Sequence, residues 1–497
     1  MQPEHSSDDR AWFGPIQVGT LVLLLTALRI YAGSQAGLSH DEAYYTFWST
    51  SLAPGYLDHP PMVALLIAGG RALFGNTELG ARFLTELCLL ATSAAVWRIG
   101  ILLFTRGTAL LAVVLFNLVP AQIGFVVTPD APSVLFWAAS LWAMAELMAS
   151  RQPMWWLAVG AFVGLGLQTK YTVAFLPPGL LLFLLVDRER RKWLTTWQVW
   201  AGVAVAVIVF LPQLLWNAQH EWMSFRFQGA RTVVPGIDPA FLTHFVELFG
   251  GFVISIGPVL APLALGGIVA GTLFRNRPYL RRFDLLVWSS WPALAYFLFH
   301  SLHGGVQPNW PLPLSTALVL IASWLLAGLW RRVRWAAGVL IGLQLAVGTT
   351  AIAVITVQVL WQPFDLGNSD RSNEMRGWRE VAAQIVDAAE ENNATWIATG
   401  GDYAFTGEIG SYVLFVGSPL PVRQISEPTR WLFLPRLSES TMLGPAIFVA
   451  QSETPPGAFL NAKLVGAVER RDSRRVIARY WLFLVSAPSA GTVAALQ

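Results

Sequence analysis

Long apolar runs, separated by short polar segments, fill the first 360 residues of the chain. A bilayer core of about 30 Å takes roughly 20 apolar residues in a helix. The runs predict spans near 16–33, 79–103, 108–127, 132–149, 154–168, 171–186, 197–216, 246–274, 284–301, 311–330 and 335–360, eleven in all. The pattern changes near Trp361. Glu374–Glu391 has helical periodicity, with Val381, Ile385 and Val386 on its apolar side. Thr395–Thr399, Ile447–Ala450 and Tyr480–Val485 read as short strands between Pro- and Ser-rich turns. The expected fold is an α-helical polytopic membrane protein of about 11 transmembrane helices, residues 1–360, followed by a soluble α/β domain, residues 361–497.

Composition sharpens this division. Charged residues are 13% of the 497, about half the usual ~25% of a soluble domain. Apolar residues make up 55%, which excludes both a water-soluble enzyme and a disordered chain. Residues 1–360 hold 37 of the 63 charges and residues 361–497 hold 26, so charge density doubles at the boundary. A net charge of +3 is too small to indicate a nucleic-acid partner. The single cysteine, Cys88, excludes an internal disulfide and a thiolate metal cluster. Asp8, Asp9 and Arg10 precede the first apolar run, and no signal-peptidase site follows it. That run is expected to be a retained helix.

Basic residues orient the spans. Of the 21 in the membrane part, 15 fall on one side, among them Arg188–Lys192, Arg275–Arg282 and Arg331–Arg334. That side should be cytoplasmic. The N-terminus then lies inside and the C-terminal domain outside. The opposite side gathers His40, His59, His220, His244, His300 and His303 with Asp41, Glu42, Asp58 and Asp130. Ionisable groups near membrane depth are costly and mark a candidate site.

The first outer loop, residues 39–66, is the densest in chemistry. Asp41 and Glu42 suit a helix start, where carboxylates meet the positive end of the dipole. Adjacent on a helix, they point about 100° apart and serve separate partners. One can take a proton while the other orients an acceptor or holds a metal. Tyr44, Tyr45, Phe47 and Trp48 suit an interfacial helix lying along the membrane. Asp58-His59-Pro60-Pro61 is a rigid turn, readable also as a helix start capped by Asp58. Asp58, His59 and His303, with Glu42, are candidate ligands for a divalent ion, although no HxH, HExxH or DxD spacing is present. Glu86 lies one turn beyond Arg82, as a local ion pair would.

An acidic pair after the first span followed by a DHPP turn resembles the protein O-mannosyltransferase superfamily of GT-C glycosyltransferases. The form here is similar to its bacterial branch, glycosyltransferase family 39. Thr128-Pro129-Asp130 with Phe136-Trp137, Gly164–Tyr171, Trp216–Phe227 and Pro308–Pro311 (PNWP) resemble further segments of that branch. Gly377-Trp378-Arg379 resembles the family's periplasmic domain more loosely, and the aminoarabinose transferases of lipid A are more distant relatives. The resemblance implies inverting sugar transfer, in one displacement, from a polyprenyl-phosphate donor to an acceptor on the outer face: a glycolipid, an envelope glycan or a protein hydroxyl. It implies Asp41 as general base, with Glu42 and Asp130 beside it, and Arg82 and Lys170 on the donor phosphate. Arg71 is an alternative to Arg82. Tyr44, Tyr45, His220 and Trp310 are expected to contact substrate or shape the loops. A transporter of lipid-linked sugars is the rival class, but the ionisable residues gather on one face and no inverted repeat is visible.

Overall fold

A computed structural model of the chain describes residues 13–122, 125–231 and 236–496. The acidic and basic flank of the first span, residues 8–10, lies outside the described residues. Among them, six helices are long and apolar enough to cross a membrane: Pro15–Gln35, Glu78–Leu103, Asp130–Ser150, Trp197–Gln219, Leu312–Arg332 and Arg334–Trp361. The count is eight if two bent pairs, Tyr171–Leu185 with Arg188–Thr195 and Phe241–Ile256 with Leu260–Leu273, each form one span. All eleven expected runs contain helix, but several are shorter than the runs suggest. The helix Arg106–Asn117 stops well before residue 127. The run 246–274 breaks at Gly257, whose φ of 114° no other residue adopts readily.

Lipid-facing and buried helices differ in which side chains they cover. Ala317–Ala322 are all buried, so the helix Leu312–Arg332 sits at the bundle centre. Trp197, Trp200, Val203, Val207 and Ile208 are exposed along Trp197–Gln219, a face suited to acyl chains. The basic connections adjoin one another: Arg190 pairs with Asp284, and Arg275 donates to the Val186 carbonyl.

That first loop is folded, not open. It holds the helix His40–Trp48 and a thirteen-residue apolar helix, Met62–Phe74, that the span pattern does not reveal. The helix Met62–Phe74 starts after Pro61, so Asp58 does not cap it. The helix His40–Trp48 does not offer its aromatic face to lipid. Tyr44, Phe47 and Trp48 are buried in one core with Ile409, Tyr412 and Trp431 from the C-terminal region.

The C-terminal region is a five-stranded sheet under helices. β1 (Trp396–Thr399), β2 (Val422–Gln424), β3 (Ala446–Ala450), β4 (Phe459–Arg471) and β5 (Val476–Pro488) run in the order β2-β1-β3-β5-β4. β1 is parallel to β2 and β3, while β5 is antiparallel to β3 and β4. Period-two alternation sends Ile397, Ile447 and Val449 to the face shared with the membrane part, and Trp396, Ala398 and Phe448 to the other. The amphipathic helix runs Trp378–Glu391, starting four residues later than the pattern suggests, because Gly377 takes φ 72° before it. The helix Tyr403–Phe415 lies directly on His40–Trp48. Gly407 permits this: a Cβ there would come within 2.8 Å of the Tyr44 backbone.

Candidate active site

The helix His40–Trp48 begins with a reciprocal contact, in which Ser39 N–H donates to Glu42 Oε2 at 2.9 Å. This turns Glu42 inward and Asp41 outward. Glu42 is 0% exposed and accepts four donors: Arg82 Nε and Nη2, both at 2.7 Å, the Val127 N–H at 2.8 Å, and that of Ser39. Arg82 directs its other N–H bonds to the Gly33, Ala36 and Gly37 carbonyls, each at 2.6 Å. Every guanidinium N–H is thereby used, and none remains for a donor phosphate. Arg82 and Glu42 therefore form an internal strut that holds the end of the first helix to the second. Neither lines a cavity. Arg82 does not pair with Glu86, whose two oxygens are buried without a hydrogen-bond partner. Arg71, the alternative cation, bonds Ser49 and Asn76 and also stays outside the cavity.

Asp41 opens instead into a cavity of about 660 Å³. Five expected site residues line it with Asp41: Tyr44, Tyr45, Asp130, Lys170 and Trp310. Asp58 and His59 line it too. At its deep end Lys170 Nζ donates to Asp130 Oδ1 at 2.6 Å, both residues being 6% exposed. Asp130 Oδ2 accepts from Asn309 Nδ2 at 3.0 Å and from Thr128 at 3.2 Å. The TPD, KY and PNWP segments thus meet at one point, and Lys170 turns inward instead of snorkelling. Asp130, with both oxygens engaged, orients the lysine and is not placed to take a proton.

Asp41 differs from Asp130. Its Oδ1 accepts from Tyr403 at 2.9 Å, and among the described residues no hydrogen bond reaches Oδ2. Although Asp41 is itself exposed to the cavity, partial desolvation by the protein around it raises its pKa above the usual carboxylate value, while the Tyr403 hydrogen bond pulls it back. His59 is pushed down to about 4, by burial first and by the Lys170 charge second, so its ring is neutral at ordinary pH. Its Nδ1 is buried and has no hydrogen-bond partner among the described residues.

The proposed metal ligands do not assemble. Both Asp58 oxygens accept from Arg430, at 2.7 and 2.8 Å, and Oδ2 also from Tyr44. His303 turns its Nδ1 to the Phe299 carbonyl and does not line the cavity. Among the described residues no group of three or more His, Cys, Asp or Glu is placed to hold an ion. His220 stacks on Trp216 with ring centroids 4.3 Å apart, also away from the cavity. A wider groove of about 880 Å³ beside Gly37 takes only Gly377 from the motif segments, and its Arg471 and Arg479 pair with Glu469.

Arg231 and Tyr403 of the cavity wall, and Arg430 behind it, are among the residues that escape sequence reasoning. Arg231 lines the wall with its guanidinium 4.5 Å from the Phe227 ring centroid. Nothing in its neighbourhood distinguishes it from other outer-side arginines. Tyr403 and Arg430 arrive from the C-terminal region, more than 350 residues beyond the loop they touch. No local signal marks them.

A charge-lined cavity on an apolar helix bundle, closed over by a small α/β layer, is the architecture that comparison with known proteins then tests. Residues 58–216 match the family described as Dolichyl-phosphate-mannose-protein mannosyltransferase. The lipid A galacturonosyltransferase RgtD of Rhizobium johnstonii is 26% identical over 393 residues, 76% of this chain and 80% of its own length. An undecaprenyl phosphate-alpha-4-amino-4-deoxy-L-arabinose arabinosyl transferase of Pseudomonas fluorescens is 26% identical over 283 residues, 54% of this chain and 49% of that one. ArnT from Cupriavidus metallidurans, in a crystal structure bound to undecaprenyl phosphate, superposes with a TM-score of 0.64. That match covers 96% of this chain and all of that one at 14% identity. The chain is thus similar in sequence to lipid A galacturonosyltransferases and to this mannosyltransferase family over residues 58–216, and it shares the fold of ArnT.

Proposed function

We propose that the chain is an inverting glycosyltransferase that moves a sugar from a polyprenyl-phosphate donor to a glycolipid acceptor on the periplasmic face. The observation that carries this reading is the shared cavity, with a carboxylate oxygen of Asp41 at one wall and the cationic pair Lys170 and Arg231 at another. The names of the relatives support a lipid-linked donor and a lipid A type of acceptor.

In this mechanism the acceptor hydroxyl oxygen attacks the anomeric carbon. Its proton passes to Asp41 Oδ2 as the bond forms. The bond from the anomeric carbon to the phosphate oxygen breaks with its electron pair, and polyprenyl phosphate departs. Lys170 and Arg231 stabilise the charge that collects on the phosphate, and they do so in a site with little water to screen it. Lys170 has two N–H bonds left for this after donating to Asp130. The positive cytoplasmic loops, Arg190 and Arg275 among them, support an outward-facing cavity by the distribution of basic residues.

The test is mass spectrometry of envelope glycolipids from cells with and without the protein, and with Asp41→Asn. The reading expects a sugar-bearing lipid that disappears in the deletion and in Asp41→Asn. An unchanged lipid profile in the deletion strain contradicts it.

A further inference from the structure

We propose that Tyr403, in the C-terminal region, is a positioning residue for the general base: its hydroxyl holds Oδ1 of Asp41 so that Oδ2 faces the acceptor. The inference rests on the assignment of Asp41 as base.

The placement of Tyr403 is built from the sheet upward. β1 ends at Thr399, and Gly401 then takes φ 88°, a conformation that favours glycine. Gln424 on β2 fixes this turn by donating to the Gly401 and Asp402 carbonyls at 2.8 and 3.1 Å. Asp402 caps the next helix by accepting the Phe405 N–H at 2.8 Å. Tyr403 is therefore the first residue of a capped helix at the carboxyl end of a strand. Its ring lies 4.8 Å from that of Tyr44 and 4.8 Å from the Arg430 guanidinium, which itself grips Asp58. With the ring held on two sides, the hydroxyl has one place to go, Asp41 Oδ1 at 2.9 Å.

The contact is not needed to dock the two regions. Ser411 donates to the Ala43 carbonyl, Leu38 N–H donates to Tyr412, and Arg379 pairs with Glu78. Both Tyr403 and Asp41 line the reaction cavity, whereas these docking contacts do not. Burial and the neighbouring Asp41 charge push the Tyr403 pKa well above its usual value, so the hydroxyl stays a donor. The charged groups facing Asp41 are His40 on its own helix, Asp58 in the following loop and Glu374 from the C-terminal region. Partial desolvation, Asp58 and Glu374 favour the protonated carboxyl, and Tyr403 and His40 oppose them. Loss of the hydroxyl must therefore raise the pH at which Asp41 ionises.

The experiment uses the purified full chain in detergent. Carbodiimide labelling of Asp41 against pH, read by peptide mass spectrometry, reports its protonation without any substrate. Turnover against pH is then measured with undecaprenyl phosphate-linked galacturonic acid and 4-amino-4-deoxyarabinose as donors and lipid A as acceptor. Tyr403→Phe keeps both ring contacts. It should move the labelling midpoint and the acid limb of turnover up by about one pH unit, with kcat about tenfold lower and donor KM unchanged. Replacement by 3-fluorotyrosine, a stronger donor of nearly the same size, should move the midpoint down. An unmoved midpoint and limb in Tyr403→Phe overturns the inference, even if activity falls. Full turnover in Asp41→Asn overturns the base assignment and this inference with it, so the two failures are told apart.

Discussion

Glu42 has two oxygens, four N–H donors and no exposure, while Asp41, one residue earlier, has a single donor and opens into a cavity of about 660 Å³. The cations divide in the same way. Arg82 has every N–H engaged by Glu42 and three carbonyls, whereas Lys170 keeps donors free beside Asp130. Residue type and loop position are shared between the two sets. Saturation of hydrogen bonds separates a strut from the proposed reactive centre, because a group with every lone pair or N–H engaged has nothing to offer a substrate. The strut still serves the centre. By fixing Ser39 and the end of the first helix to Arg82, it sets the direction in which Asp41 leaves the helix.

This contrast can be broken by experiment. The largest effect is expected at Asp41. Asp41→Asn removes the proton acceptor and should lower turnover by about 10²–10⁴-fold, with an unchanged melting temperature in detergent. Arg82→Ala should act through stability. It leaves the Glu42 carboxylate buried without its counter-ion, at a cost of about 3–5 kcal/mol. Thermal unfolding should show this loss, and the double variant Glu42→Gln with Arg82→Met should recover much of it. Lys170→Met should raise donor KM and lower kcat, by about 10²-fold together in kcat/KM, with Arg231→Gln showing a smaller loss of the same kind.

Smaller effects test the surroundings. Gly407→Ala drives a methyl group against the Tyr44 backbone and should cost about 1–3 kcal/mol, read as a lower melting temperature. His59 gives a pH-dependent test. Its folded pKa, about 4, lies below the ordinary 6.5, so the unfolded chain takes up a proton first as pH falls. Stability should drop as pH falls from about 6.5 toward 4, by on the order of 3 kcal/mol. His59→Asn should remove that dependence while matching the wild type above pH 7 in melts across this range.

The apolar runs made the membrane bundle legible, because hydrophobic length is a local property. The helix Met62–Phe74 escaped, being thirteen residues with Gly69, Gly70 and Arg71 diluting its pattern. β4 escaped because one of its faces is polar, with Asn461, Lys463 and Glu469 exposed or partly so. At the site, the TPD, KY and PNWP segments could be read as motifs, and they do meet around Asp130, Lys170 and Asn309. The roles of Glu42 and Arg82 could not be read. Forty residues separate them, and only folding shows that each saturates the other. The same holds for Tyr403 and Arg430, which sequence leaves in a region with no motif. The burial of the aromatic face of His40–Trp48 could not be read either, because the C-terminal layer that covers it is distant in sequence.

The central claim is that adjacent carboxylates have opposite duties, and one paired measurement addresses it. Asp41→Asn and Glu42→Gln would be purified as full chains, their melting temperatures recorded, and turnover per folded molecule measured with a lipid-linked donor and lipid A. The account predicts a wild-type melting temperature with lost turnover for Asp41→Asn, and a lowered melting temperature with near wild-type turnover per folded molecule for Glu42→Gln. Turnover retained in Asp41→Asn, or abolished in well-folded Glu42→Gln, would contradict it.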